Sequence, residues 1–171
     1  QSQRYVKEAQ FEFVLPPAIE NIPQAKEEFL KAMEEDQRHY DSLASTLKQA
    51  HMKEWLRQGM DEKQAAQKAE KQAIEDARFV LPNACCTKMI CTFNARSLLN
   101  FFSHRCCNRA QWEIQDVAMQ MLRLCLQAAP ALFKTAGPQC TRGGCTEGKM
   151  TCGRAAQVRE AFTALRGEYY G

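Results

Sequence analysis

The sequence predicts a mixed α+β (α/β) domain with helix in excess, in which sheet elements flank an inserted helical hairpin and a long core helix. Three observations lead there. Two segments, 4–15 and 86–93, alternate apolar and polar side chains with the period of two expected of strands. Between them, apolar residues recur at helical spacing and the pattern is broken once, at Gly59. A further helical stripe runs from about Ala110 to Ala129.

Taken in order, the first strand-like segment places Phe11 and Phe13 on one side of Glu12 and ends at Pro16-Pro17. A long helix is expected next, with Asn21 as its N-cap, Pro23 in its first turn and Phe29, Met33, Tyr40, Leu43 and Leu47 as its apolar positions. After Gly59, Asp61 caps a second helix, with Gln64 in the capping-box position. Its Ala65, Ala66, Ala69, Ala73 and Ile74 suit close packing, so the pair reads as a hairpin. Arg78 to Pro82 breaks that helix, and in the second strand-like segment Thr87, Met89 and Cys91 share a face. A helix from about Ala95 to His104 buries Leu98, Leu99, Phe101 and Phe102. The next buries Ile114, Ala118, Met121, Leu122, Cys125 and Ala129 and is stopped by Pro130. Residues 135–153 are irregular and rich in Gly and Cys, and a short helix closes the chain from about Ala155 to Leu165. The division expected is a domain over 1–134 and a Cys/Gly-rich tail with a short helix over 135–171.

The composition is that of a soluble globular protein, with 45% hydrophobic and 25% charged residues in 171. No apolar run approaches a membrane span, and no apolar leader follows Gln1. A net charge of +3 argues against a dedicated nucleic-acid binder. Nine cysteines, an odd number with two adjacent pairs, read as reduced thiols and hence as a cytoplasmic protein. The chain does not begin with Met, so the expectation is a fragment of something longer.

The densest polar cluster runs from Asn94 to Arg105. Asn94 and Arg96 fall at a helix N-terminus, where unpaired backbone N–H groups attract anions and a guanidinium adds a bidentate fork. Asn100, His104 and one face of Arg105 follow at helical spacing. A helix cap with solvated arginines explains the same residues. Ser2, Arg4 and Arg78 form a second, weaker basic set, and no carboxylate pair or Ser-His-Asp arrangement points to hydrolysis.

Four blocks then make the pattern specific. Ser2-Gln3-Arg4-Tyr5-Val6 resembles the end of a signature in which Arg-His-Arg is followed by Ser and then Arg-Tyr. Ala77-Arg78-Phe79-Val80-Leu81-Pro82, Thr92-Phe93-Asn94-Ala95-Arg96-Ser97-Leu98 and Ala110-Gln111-Trp112-Glu113-Ile114 are similar to its other blocks, in the same order. The resemblance is to the flavin-dependent thymidylate synthases and covers residues 2 to about 133. It implies that family's fold and the reductive methylation of dUMP to dTMP, with FAD as redox cofactor and NADPH and methylene-tetrahydrofolate as co-substrates. It also implies a homotetramer whose flavin sites draw on more than one subunit.

By the same resemblance, Ser2, Gln3 and Arg4 hold dUMP, Arg78 contacts it, and Arg105 polarises the uracil ring. Asn94, Arg96, Asn100 and His104 lie at FAD, as does Arg109, where many members carry His. The resemblance implies no enzyme nucleophile: the protein supplies binding, orientation and charge. The Arg-His-Arg half of the signature is missing from the chain, which leaves the flavin site incomplete or the chain a fragment.

The cysteine tail lies outside the resemblance. Cys140, Cys145 and Cys152 in a Gly-rich loop, with Cys106 or Cys107 as a fourth, are ligand material for zinc or an iron–sulfur cluster. Their spacings fit neither a zinc finger nor a ferredoxin run, and small half-buried side chains are the plain alternative. Two further readings stay open: a cysteine-rich metal-binding module that binds nucleotides without catalysis, and an inactive family member with a structural role.

Overall fold

The computed structural model describes residues 10–170, which fall into two compact units divided between Ile90 and Cys91. The first is dominated by a helical hairpin. A single turn, α1 (Pro17–Glu20), leads into α2 (Pro23–Arg57), and α3 (Glu62–Ala77) runs back along it. Proline near the first position suits the start of α2, because its missing N–H is unpaired there in any case. Ile22 is its N-cap residue, with no side-chain bond, and Asn21 instead ends α1, so the expected asparagine cap is corrected. The expectation overlooked α1, whose short turn takes up Asn21.

The hairpin turn is a Schellman motif. Gly59, at φ 85°, donates its N–H to the Leu56 carbonyl at 3.0 Å, and Met60 donates to the Trp55 carbonyl at 3.1 Å. Asp61 then accepts from the Gln64 N–H at 3.1 Å and caps α3 as its sequence predicts. Ala65, Ala69, Ala73 and Ala77 recur every four residues, and all are buried. Without longer side chains on that face the helix backbones approach closely. Tyr40 and Ala44 of α2 pack with Ala77 in a small core, which Leu47, Val80 and Leu81 extend. Leu43 stays 40% exposed, since the stripe drifts one position to Ala44. Polar ties join the two helices: Lys48 Nζ to Glu70 at 3.0 Å, and Trp55 Nε1 to Gln72 Oε1 at 2.8 Å.

The sheet expected at either end of the hairpin is not formed, and the α+β assignment is corrected to an all-helical architecture among the described residues. What remains of it is one antiparallel bridge, Phe13 with Cys85. Val14 donates to the Ala84 carbonyl at 2.9 Å and Cys86 donates to the Glu12 carbonyl at 2.7 Å. Those two bonds flank a single residue pair. Beyond it, Pro16 and Pro17 divert one chain into α1, while residues 87–90 run on exposed. A ladder needs a partner at each step, and alternation in one segment cannot supply it.

The second unit holds the larger core. α4 (Ala95–Arg105), α5 (Trp112–Ala128), α6 (Pro130–Phe133) and α7 (Ala155–Gly167) surround Phe102, Cys106, Ala118, Leu122, Leu126, Phe133, Val158 and Phe162. α5 is the expected core helix. Pro130 does end it, but as the first residue of α6 rather than as the start of a coil. Between α6 and α7 the chain makes two short 3-10 turns, Gln139–Thr141 and Gly148–Met150. Cys140 of the first belongs to the same core as α4 and α5.

Candidate functional site

α4 and the turn that follows carry most of the polar residues singled out in the sequence. Asn94 is the N-cap: its Oδ1 accepts from the Ser97 N–H at 2.9 Å. The cap fixes where the helix begins, and it leaves the amide nitrogen of Asn94 as the donor for a ligand. Phe102 is fully buried, and Leu98, Leu99 and Phe101 pack against the same core. The buried face therefore turns Arg96, Asn100, His104 and Arg105 outward, and all four are exposed.

Arg96, Asn100 and His104 follow one another at four-residue spacing along one flank. His104 Nδ1 lies 2.9 Å from the Asn100 carbonyl oxygen, and Ser103 Oγ donates to that same oxygen at 2.8 Å. The ring is thereby held by Nδ1, with Nε2 as its other edge. Arg105 comes nine residues after Arg96, which at about 100° per residue puts it on the opposite side of α4. The helix thus separates two guanidiniums rather than gathering Arg105 with His104. Among the described residues neither Arg96, Arg105 nor Arg109 has a carboxylate partner.

Arg109 stands exposed in the turn between α4 and α5. Gln115, on the first turn of α5, shapes that turn: its Nε2 donates to the Cys107 carbonyl at 3.1 Å and to Asn108 Oδ1 at 3.3 Å. Gln111 caps α5, its Oε1 accepting from the N–H groups of Glu113 and Ile114. The sequence reading missed both glutamines. A Gln immediately before a helical stripe is a weak cap signal, and the Gln115 bonds depend on the turn's conformation.

Arg78 belongs to the first unit. It opens the 3-10 turn Arg78–Val80, is half-buried, and its guanidinium carbon lies 5.9 Å from the centre of the Phe79 ring. With Leu81, Pro82, Asn83, Cys85 and Thr87 it lines an open depression of about 370 Å³. Phe79 is 81% exposed at its rim, an apolar surface beside a cation. Ser2, Gln3 and Arg4 lie outside the described residues.

All nine cysteines are free. Cys106 is in the apolar core, and burial pushes its thiol up to about 12. Cys140 is also buried, Cys152 half-buried and Cys145 exposed. The Cys140 thiol is raised first by burial and then by the neighbouring thiols of Cys107, Cys145 and Cys152. Among the described residues no three His, Cys, Asp or Glu side chains stand at ligating distance from one point.

No helix among the described residues is long and apolar enough to cross a membrane. The family model of the thymidylate synthase complementing protein matches residues 1–131. A flavin-dependent thymidylate synthase of Clostridium tetani is 51% identical over 162 residues, covering 95% of this chain and 62% of the relative. One from Nitratidesulfovibrio vulgaris is 43% identical over 156 residues, covering 90% of this chain and 57% of the relative. One from Geobacter sulfurreducens is 58% identical over a shorter stretch of 91 residues, 53% of this chain and 39% of the relative. The chain therefore spans somewhat more than half the length of the two relatives it matches almost throughout. With the family match extending across both units, the chain belongs to the thymidylate synthase complementing protein family.

Proposed function

We propose that this chain forms part of a flavin-dependent enzyme that reductively methylates dUMP to dTMP, with methylene-tetrahydrofolate as carbon donor and NADPH as reductant. The observation that supports it best is the family match over residues 1–131, within which Arg96, Arg105 and Arg109 are exposed and, among the described residues, have no carboxylate partner. Both FAD and dUMP bear phosphate, and unpaired guanidiniums beside a helix N-terminus are the groups that bind it. The residues present fit such ligands.

When bound, FAD supplies the hydride chemistry. Asn94, Arg96 and Asn100 hold the cofactor by one flank of α4, with His104 Nε2 and Arg109 at its far end. Arg105, on the opposite flank, serves the nucleotide: its fixed positive charge stabilises negative charge developing on the uracil ring. Arg78 binds dUMP as well, together with Ser2, Gln3 and Arg4. The working enzyme is a cytoplasmic homotetramer, so residues of one site need not come from one chain.

The test is the visible absorption of the protein produced with the upstream residues of its relatives restored, followed by titration with dUMP. A flavin spectrum that shifts on adding dUMP supports the reading. A protein that binds flavin but forms no dTMP would be an inactive family member. One that binds neither ligand would overturn the assignment.

A further inference from the structure

Beyond the residues that the family model matches, the chain turns basic, with Lys and Arg outnumbering Glu from residue 134 onward. Three of those cations, Arg142, Arg159 and Arg166, gather on one short stretch, and hydrogen bonds fix where they lie. Arg159 and Arg166 stand seven residues apart on α7, which at about 100° per residue returns them to the same face. Arg159 Nε donates to the Cys140 carbonyl at 2.7 Å and its Nη2 to the Gly143 carbonyl at 2.9 Å. Arg166 Nη2 donates to the Ala136 carbonyl at 2.7 Å and to Thr141 Oγ1 at 3.2 Å. Arg142 comes between the residues so held, Thr141 and Gly143, and its Nη2 turns back to Gln139 Oε1 at 3.1 Å. The 3-10 turn Gln139–Thr141 therefore carries three guanidiniums around it.

Every one of these bonds goes to a neutral oxygen, so the positive charges stay uncompensated. Among the described residues none of the three forms an ion pair, although Glu147, Glu160 and Glu168 are close in sequence. A guanidinium has five N–H donors, and the bonds above use two at most on any one side chain. Arg166 Nε is buried and has no acceptor, a costly position for a donor on a charged group. Burial lowers the Arg166 guanidinium below its ordinary value, and the charge of Arg142 lowers it further.

We propose that Arg142, Arg159 and Arg166 form an anion site that binds a phosphate group beside the turn Gln139–Thr141. Phosphate suits the set, because its oxygens accept from several guanidiniums at once and bring the negative charge that this stretch lacks. Arg159 and Arg166 are held in place by their bonds to the 136–143 segment, so little ordering is left for the ligand to impose. The exposed Arg142 is tied only to the Gln139 side chain and closes the set. None of these residues is among those assigned to FAD or dUMP, and the proposal does not depend on the flavin reading.

The experiment is titration of the full chain with inorganic phosphate at constant ionic strength, read by NMR. The signals followed are the arginine Nε–H groups and the backbone amides of residues 139–143. Saturable shifts of those signals are expected with phosphate, and none with chloride at the same ionic strength. Glycerol phosphate, titrated separately, tells the two sources apart. Tighter binding than the free ion assigns the site to a phosphate ester, weaker binding assigns it to the ion, and either supports the site. Arg142→Gln should weaken binding by about 10-fold or more, the worth of one charge-assisted hydrogen bond. Arg38→Gln, the same loss of charge on an exposed arginine of the first unit, should leave it unchanged. Arg96→Ala and Arg105→Ala should also leave it unchanged, which keeps this test apart from the flavin and nucleotide assignments. Shifts that do not saturate, an equal response to chloride, or parental affinity in Arg142→Gln would each overturn the proposal. Because the titration is read first on the unmutated chain, a variant that fails to fold does not shield the idea.

Discussion

Gly137 lies flat against the ring of Phe162: a β-carbon at Gly137 would stand 2.7 Å from both Cδ1 and Cε1 of that ring. Its φ of 134° is one that side chains rarely adopt, so glycine is required twice over. The close approach lets α7 sit against the segment leaving α6, where Arg166 bonds the Ala136 carbonyl. Gly137→Ala should destabilise the second unit by roughly 2–4 kcal/mol, combining backbone strain with overpacking. Urea unfolding followed by tryptophan fluorescence and circular dichroism would measure it, and a change below about 0.5 kcal/mol would show that the ring simply moves aside.

Arg105 and Arg96 lie on opposite flanks of α4, and their replacements should part company. In the longer, flavin-loaded protein, Arg105→Ala should lower turnover by about 100- to 1,000-fold while FAD stays bound, as expected when a group acts on charge formed in the reaction. Arg96→Ala should weaken flavin retention instead. Near-parental turnover in Arg105→Ala would remove that residue from the chemistry.

The hairpin depends on smallness. Ala69 of α3 is fully buried, and Ala69→Leu adds a branched side chain on the packed face of that helix. It should cost about 1–3 kcal/mol. Asp61→Ala, which removes the α3 cap, should cost about 1 kcal/mol. Thermal denaturation of the two variants beside the parent distinguishes packing from capping by size, and the larger loss should belong to Ala69→Leu.

Glu54 sits in the last turn of α2, where the helix dipole disfavours a carboxylate. Arg57 overrides this with two bonds, Nε to Oε2 at 3.0 Å and Nη2 to Oε1 at 2.8 Å, and Gln58 adds a third at 2.7 Å. Those bonds lower the Glu54 carboxyl from 4.5 to about 2. The sign follows: the ion pair's contribution is present above the unfolded value of 4.5 and is lost as pH falls through about 2. Carboxyl-carbon NMR titration should find the midpoint well below 4.5, and high salt should move it back up because the pair is exposed. A midpoint at the ordinary value would show the fork to be open in solution.

The helices were legible because their evidence is local. Asp61 and Asn94 announce their helices by cap chemistry, Gly59 by its turn, and the α5 stripe by its period. The strands were not, because Phe13 and Cys85 meet over one pair only, and a partner's length is invisible in either segment. Asn94, Arg96, Asn100 and Arg105 were recognisable from one block of sequence, yet their division between two flanks needed the helix itself. The distinction between Cys106 and Cys107 is of the same kind. Adjacent in sequence, they differ in which way the turn after α4 faces them, and only one lies in the core.

The Schellman turn at Gly59 has a use of its own. At 35 residues α2 is about 52 Å long, more than twice the length of the 16-residue α3. No proposed ligand contact falls between Gln58 and Asp61, and nothing crowds Gly59 from outside. A fluorophore, affinity handle or inserted peptide placed there would report on the protein without touching its chemistry.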